Sequence, residues 1–277
     1  MVLGLQRCGS VGDGTTTNRS TPTQVGGDSD WATITTSGTH SCGTRTNGTA
    51  WCWGLNNYGQ LGDGTNANRS TPVQVGAGSD WVDIDAGSDF TCGTKTNETV
   101  WCWGTNGLGQ LGDGTNANRS TPVQVGSDTD WSVISVAIAH TCAIKTNGTA
   151  WCWGWNLYGQ LGDGTNTDRN IPGQVGTDTN WATLTGGSWH TCGTKTDGTA
   201  WCWGRNSHGQ LGDGTYTNRL TPVQVGAGSD WAAINPGGLF SCGIKTNGTA
   251  WCWGGNSYGN LGDGTTTDRI TPGPVRE

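Results

Sequence analysis

The stretch His40-Ser41-Cys42-Gly43-Thr44-Arg45-Thr46-Asn47-Gly48-Thr49-Ala50-Trp51-Cys52-Trp53-Gly54 decides the fold. Two runs rich in Thr, Cys and Trp flank Asn47-Gly48, a strong β-hairpin signal. Read as a type I turn followed by a Gly48 bulge, the common three-residue loop, the turn sets Arg45 opposite Thr49. Counting back pair by pair, Gly43 then faces Trp51 and Cys42 faces Cys52. The cysteines fall in a non-hydrogen-bonded site, where opposed side chains lie closest. Alternation along the strand puts Ala50 and Cys52 on one face and Trp51 and Trp53 on the other. Gly43 leaves room for the Trp51 indole to lie across the strand, an aromatic rescue of a strand glycine.

The hairpin recurs. Trp-Cys-Trp-Gly begins at Trp51, Trp101, Trp151, Trp201 and Trp251, and Gly-Asp-Gly-Thr begins at Gly12, Gly62, Gly112, Gly162, Gly212 and Gly262, always 50 residues apart. Residues 59–76 are identical to 109–126. A repeat of this size builds an array in which each unit buries its apolar face on a neighbour. A single repeat domain over 1–277 is therefore expected, with full units at 28–77, 78–127, 128–177, 178–227 and 228–277. Residues 1–27 repeat only the second half of a unit, with Met1-Val2-Leu3-Gly4 in place of Trp-Cys-Trp-Gly, and read as a degenerate or truncated unit. Met1 to Ser10 lacks the basic segment and apolar run of a secretory signal.

Within residues 28–77 strands are predicted at 31–36, 40–46, 49–54 and 72–75; Pro72 suits an edge strand or a strand start. A Gly-, Asn- and Asp-rich loop separates the last two. Four short strands per unit point to an all-β fold, a β-propeller with one four-stranded blade per repeat. Each blade then has an aromatic face and a slimmer face of disulfide, Ala and Thr, and stacking large on small fills the space between blades. A buried aromatic side chain contributes roughly 1.5–3 kcal/mol, so the ten indoles of the Trp-Cys-Trp motifs are expected to supply most of the core. Glu98 stands where the other units have the turn glycine, so that turn carries a strained left-handed residue or changes type.

Composition agrees. Gly accounts for 50 of the 277 residues and Trp for 17, against a usual Gly share of about 7%. This excludes a helical bundle, a coiled coil and an ordinary α/β enzyme, and the aromatic content excludes disorder. No apolar run approaches the roughly 18 residues of a membrane-spanning helix, so no membrane insertion is expected. The formal charge of −7 disfavours nucleic acid, whose phosphates need clustered Lys and Arg.

The sequence Trp53-Gly54-x-Asn56-x-x-Gly59-Gln60-Leu61-Gly62, followed by Pro72-x-x-Val75 and preceded by Gly38-x-His40, resembles the regulator of chromosome condensation (RCC1-type) repeat, in a bacterial-style variant with paired cysteines. The resemblance covers essentially the whole chain. Kelch repeats share a period near 50 residues, but the Gly-Gly doublet is missing from the kelch position. The resemblance implies a propeller, usually of about seven blades. Five full units and a partial one suggest a six-bladed, open or truncated ring. It also implies binding of a protein partner through loops. The family's namesake adds an alternative, guanine-nucleotide exchange on a small GTPase, against which the acidic charge and the inferred disulfides speak. A third reading, a lectin-like propeller that binds glycan, follows from the Trp content.

Candidate chemistry is limited. His40, Cys42 and Cys52 are imaginable around zinc, but the His position becomes Phe90 and Phe240 while the cysteine pairs persist, and no Cys-x-x-Cys spacing occurs. Disulfides are expected for Cys42–Cys52, Cys92–Cys102, Cys142–Cys152, Cys192–Cys202 and Cys242–Cys252, each closing a loop of about ten residues worth about 2–3 kcal/mol. They imply an oxidising, extracellular, periplasmic or cell-surface location. No metal and no cofactor are expected. Cys8, in the place of Tyr58, reads as a free thiol or an intermolecular link. Asp13, Asp63, Asp113, Asp163, Asp213 and Asp263, each with an Arg six residues on, read as Asp-stabilised turns, because a calcium loop needs more oxygen ligands. The Asn-x-Thr sequons at Asn47, Asn97, Asn147 and Asn247 are explained by turn chemistry.

Residues that break the repeat are the binding candidates: Trp155, Trp189, Arg205, His208 and Tyr216, in or near loops, where binding residues concentrate. Aromatic residues and Arg are frequent interface anchors. Drift on solvent-facing loops is the alternative. Asp80, Asp83, Asp85 and Asp89 form a local acidic cluster in sequence. No Ser-His-Asp set, phosphate loop or paired carboxylate is placed, and the chain is expected not to be an enzyme. Mass spectrometry of unreduced peptides should recover five Cys–Cys pairs ten residues apart; ten free thiols in protein kept under oxidising conditions would overturn the pairing.

Overall fold

A computed structural model describes residues 2–4 and 8–276. The strands are β1 (Val2–Gly4) and β2 (Arg19–Thr23), followed by five quartets. These are β3 (Trp31–Thr36), β4 (His40–Arg45), β5 (Ala50–Gly54) and β6 (Arg69–Gln74); β7 (Trp81–Ala86), β8 (Phe90–Lys95), β9 (Val100–Gly104) and β10 (Arg119–Gln124); β11 (Trp131–Val136), β12 (His140–Lys145), β13 (Ala150–Gly154) and β14 (Arg169–Gln174); β15 (Trp181–Gly186), β16 (His190–Lys195), β17 (Ala200–Gly204) and β18 (Arg219–Gln224); and β19 (Trp231–Pro236), β20 (Phe240–Lys245), β21 (Ala250–Gly254) and β22 (Arg269–Pro274). Among the described residues there is no helix. Each quartet forms one four-stranded sheet in chain order, and β1 pairs with β2. The chain divides into two compact units, Met1–Val136 and Ala137–Glu277.

The hairpin register is the one the turn dictates. Arg45 N donates to the Thr49 carbonyl at 2.9 Å and Gly48 N to the Arg45 carbonyl at 2.9 Å. Gly43 faces Trp51 and Cys42 faces Cys52. All five expected disulfides form, with Cα atoms 4.1 Å apart, close to the roughly 4.5 Å of a non-hydrogen-bonded pair. Gly48 has φ 78°, and a Cβ there would stand 2.3 Å from the Ser79 carbonyl oxygen. Glu98 keeps the same turn at φ 59°, the strained alternative expected for it. The fourth strand starts earlier than predicted, at Arg69, which pairs with Gly54. The register shifts between Cys52 and Gly54, so Pro72 sits in an irregular stretch of an edge strand, where its missing N–H costs no ladder bond.

Packing between repeats follows the large-on-small rule. In unit 1, Cys42, Ala50 and Cys52 of one sheet, with Leu61 and Val75, cluster with Trp81, Ile84 and Trp103 of the next. In unit 2, Cys192, Ala200 and Cys202 meet Trp231, Ile234 and Trp253 in the same way. The identity of the core indoles differs from expectation. Trp53, Trp103, Trp153, Trp203 and Trp253 are fully buried, but their partners are the first-strand tryptophans; Trp81, Trp131, Trp181 and Trp231 are also buried. The two rings meet edge to face, with centroids 5.6 Å apart for Trp81–Trp103 and 5.5 Å for Trp181–Trp203, a geometry worth about 0.5–1.5 kcal/mol beyond area burial.

The Trp51-type indoles are only half-buried. Trp51 donates its N–H to Thr49 Oγ1 at 2.9 Å and lies under the Arg45 guanidinium, whose carbon is 4.3 Å from the ring centroid. The space over the strand glycine goes to the first-strand ring instead: a Cβ on Gly93 would stand 3.0 Å from Trp81 Cζ3. The physical reason is the irregular pairing between Trp81 and Asp83, which lets the first-strand indole swing across β8.

A polar seam runs beside the indoles. The Gln60 carbonyl accepts both Trp103 Nε1–H at 2.9 Å and the Thr91 hydroxyl at 2.8 Å. The Gln160 carbonyl accepts Trp203 Nε1–H and the Thr191 hydroxyl in the same manner. Because Thr191 spends its proton on that carbonyl, its oxygen can only accept from His140 Nε2–H, 2.9 Å away; the histidine is held as the neutral Nε2–H tautomer. His190 does the same with Ser241, at 2.8 Å, and His40 with Thr91, at 2.8 Å. Complete burial lowers the pKa of His40, His140 and His190 to about 3; for His190 the neighbouring His140 adds to the effect.

Two outcomes are expected. Glu98→Gly relieves a left-handed non-glycine residue and should stabilise the fold by about 1 kcal/mol in urea unfolding. A histidine whose folded pKa lies below its unfolded value contributes stability that is complete above about pH 6.5 and is lost as pH falls toward 3. Stability should thus decline from pH 7 to pH 4, and His190→Phe, which installs the residue of Phe90 and Phe240, should flatten that decline by about one proton.

Candidate functional site

An invariant Asn organises the loop that follows the third strand of every full repeat. Asn156 Nδ2 donates to the Thr165 carbonyl at 3.1 Å, to the Thr167 carbonyl at 3.1 Å and to Asp163 Oδ1 at 3.3 Å, while its Oδ1 accepts Leu161 N–H at 3.0 Å. The aspartate of the Gly-Asp-Gly-Thr turn is its second anchor. Asp63 Oδ1 accepts Thr65 N–H at 2.9 Å, and Asp63 Oδ2 pairs with Arg69 at 2.7 Å. Partial burial raises the Asp63 carboxyl, but the Thr65 and Arg69 donors outweigh it and hold the group below the usual carboxylate range. The expected Asp–Arg turn is what forms. The first glycine of the motif also serves the neighbouring repeat. A Cβ on Gly162 would stand 2.7 Å from Trp203 Nε1, so the bare backbone there admits the indole of the next repeat.

This rigid frame carries variable positions. Aligned at the 50-residue period, the five full repeats differ in all five copies at only three places: 36, 86, 136, 186 and 236; 39, 89, 139, 189 and 239; and 55, 105, 155, 205 and 255. All three lie at one end of each sheet. The residue at the third place donates its N–H to the carbonyl of the second in every repeat, from Leu55 to Thr39 at 3.0 Å through Arg205 to Trp189 at 2.9 Å. The first and second places share the hairpin turn closed by bonds such as Gly187 N to the His190 carbonyl, at 2.8 Å.

In unit 2 this rim gathers four large side chains. Trp155 meets Tyr158 edge to face, with centroids 5.7 Å apart. The Arg205 guanidinium carbon lies 5.3 Å from the Tyr158 ring centroid and 4.4 Å from that of Trp189, and Arg205 Nε donates to Ser207 Oγ at 3.0 Å. The structure thus brings together Trp155, Trp189 and Arg205 of the sequence candidates. His208, in the same loop as Arg205, contacts Asp268 at 3.1 Å instead. Tyr216 stands 57% exposed in the Gly-Asp-Gly-Thr turn and shares no ring, ion or hydrogen-bond contact with the others. The sequence does not single out Tyr158, because Tyr58 and Tyr258 make it a regular feature of the repeat; the His208 and Leu108 substitutions at the same place are the signal that the position varies.

The acidic cluster does not converge. Asp80 pairs with Lys95 at 3.1 Å, Asp83 accepts its neighbour's N–H from Ile84, and Asp89 accepts from Gln60. Asp85 accepts from Thr35 and from Val136 N, and burial raises its pKa. Among the described residues no group of three or more His, Cys, Asp or Glu side chains could hold a metal ion. Cys8 is the free cysteine, with φ 57°.

Comparisons place this geometry among known proteins. The regulator of chromosome condensation (RCC1) repeat matches residues 47–93, 97–144, 147–193 and 197–244, and a second form of the repeat matches 31–60, 81–110, 182–210 and 232–260. No curated protein sequence matches the chain significantly. Among solved structures, human WBSCR16 is similar with a TM-score of 0.79 at 20% identity, over 89% of this chain and 67% of that one. Yeast RCC1 (Prp20) bound to Kap60 is similar with a TM-score of 0.77 at 19% identity, over 86% and 59%. Prp20p from Saccharomyces cerevisiae, solved with a study of its binding to Gsp1p and histones, gives 0.77 at 19%, over 86% and 61%. The chain therefore spans about three fifths of the yeast protein it resembles, and these likenesses establish the β-propeller fold. With the repeat matched over more than half its length and the Trp-Gly-x-Asn, Gly-Gln-Leu-Gly and Pro-x-x-Val positions in place, the chain belongs to the regulator of chromosome condensation repeat family.

Proposed function

We propose that this chain is a non-catalytic binding scaffold of an oxidising, extracytoplasmic compartment that holds a protein partner on its variable rim. The observation that carries the reading is the concentration of repeat-to-repeat variation. The disulfides, core indoles and Asn-anchored loops recur nearly unchanged, while the positions that differ in all five repeats lie at the same end of each sheet. A rim that varies on a constant frame is how a repeat array gains a specific surface. Aromatic residues and Arg, the side chains gathered in unit 2, are those that anchor protein interfaces.

The family supports the same class of partner, because the yeast neighbour is bound to Kap60 and was studied for binding to Gsp1p and histones. Five disulfides support the compartment, since such bonds persist in oxidising surroundings. The glycan reading finds less support, because the recurrent indoles are core or lie beneath Arg45-type cations.

The test is affinity capture on disulfide-intact protein from the extracytoplasmic fraction of its own source. A specific protein partner should be retained, and Trp189→Ala should reduce retention by about tenfold or more, as loss of an interface anchor does, whereas Tyr216→Ala should not. A partner held equally by both variants, or a ligand that proves to be glycan on an array, would overturn the reading.

A further inference from the structure

We infer that Arg205 is the recognition point for a carboxylate: the partner's contact segment is an acidic peptide stretch, with an Asp or Glu seated on the Arg205 guanidinium and an apolar neighbour on the Trp155–Tyr158 shelf. This deepens the binding-scaffold reading and rests on it.

Arg205 differs from the arginines that build the repeats. Arg69, Arg119 and Arg219 each pair with the aspartate of their own turn at 2.7 Å, and Arg45 contacts Asp28. Arg205 has no acidic partner among the described residues. Its Nε is taken by Ser207 Oγ, and Trp189 and Tyr158 hold the guanidinium by their rings. Those contacts fix the side chain before a ligand arrives and leave the two terminal nitrogens, a planar fork that matches the two oxygens of a carboxylate. Pre-ordering lowers the entropy cost of binding, and flanking rings thin the water that would weaken the charge pair.

The surroundings narrow the ligand to a peptide. Leu157, 54% exposed, lies on the loop of Trp155 and Tyr158, and Ile138, 42% exposed, on the hairpin turn whose Ala139 carbonyl accepts Trp155 N–H, so exposed apolar side chains flank the Trp155–Tyr158 shelf that holds Arg205. Another polar side chain of the Arg205 loop, His208, is already taken by a carboxylate of the protein's own, Asp268, at 3.1 Å. A phosphate polymer needs several free cations in a row, whereas the ring cluster holds one, Arg205. One fork with apolar flanks fits one acidic side chain between apolar ones.

The experiment selects random twelve-residue peptides displayed on phage against the disulfide-intact protein. Recovered peptides should carry Asp or Glu beside a Leu, Ile or aromatic residue. By calorimetry, synthetic copies should lose binding at least about tenfold on Arg205→Gln, and equally when their acid is replaced by the amide. That is the scale of a hydrogen bond to a charged group. Arg205→Lys should recover only part, because an ammonium lacks the fork. Arg205 is not buried in the core, and unchanged thermal unfolding of the variants checks that the fold is intact.

No recovered peptide, recovered peptides without acidic enrichment, or binding unchanged by Arg205→Gln would each overturn the inference. So would Arg205-dependent binding of a glucuronate-terminated oligosaccharide in place of acidic peptides. Peptides lost on Trp189→Ala but kept on Arg205→Gln would overturn the carboxylate assignment alone and leave the protein-binding reading standing.

Discussion

An indole pair from one repeat lying on the disulfide face of the repeat before it is the contact on which the rest of this fold depends. Neither partner would be stable alone. A single four-stranded sheet of short strands leaves both faces wet, and the Trp81–Trp103 pair presents a large apolar surface that only a slim neighbour can cover. Cys42, Cys52 and Ala50 supply that slim face because their side chains are short and stand together on one side of the hairpin. The covalent clip and the packing therefore meet at the same place: the bonded cysteines are the residues on which the next repeat's indoles rest.

The polar seam makes the stacking specific. A carbonyl such as that of Gln60 takes the indole N–H and a hydroxyl from the following repeat together, so a slipped or rotated neighbour would bury two unmatched donors at a cost of about 1–3 kcal/mol each. The buried histidines extend the same logic, since their tautomer is dictated by hydroxyls already committed to carbonyls. With stacking and loop geometry both held by recurrent residues, the rim is free to vary without endangering the fold. Trp155, Trp189 and Arg205 occupy positions whose backbone is tied down by the repeat, while their side chains carry no structural duty that the other repeats share.

Much of this is legible in the sequence. The 50-residue period, the hairpin register, the five disulfides and the alternation of a large and a small face all follow from local chain geometry: turn type sets register, and register sets which side chains share a face. The roles of the indoles are not legible there. Trp51 pairs with Gly43 and so reads as the ring that crosses the strand glycine, whereas the first-strand side chains Ile34 and Trp31 take that space beside an irregularity in strand pairing. A bulge of this kind leaves no mark in composition or spacing. The Pro72 strand extends back to Arg69 for a related reason, the shifted register opposite Gly54.

The sequence by itself determined the repeat, its strands, the pairing of its cysteines and the list of residues that depart from the pattern, because these depend on neighbours a few positions away or on an exact period. Only the tertiary structure decided which departures meet. Trp155, Tyr158, Trp189 and Arg205 come from two successive repeats and three different loops, while His208 turns to Asp268 and Tyr216 stands apart. Their meeting depends on how one sheet stacks on the next and on the single backbone bond that ties two loops at each sheet end, and stacking of that kind is a property of the assembled array.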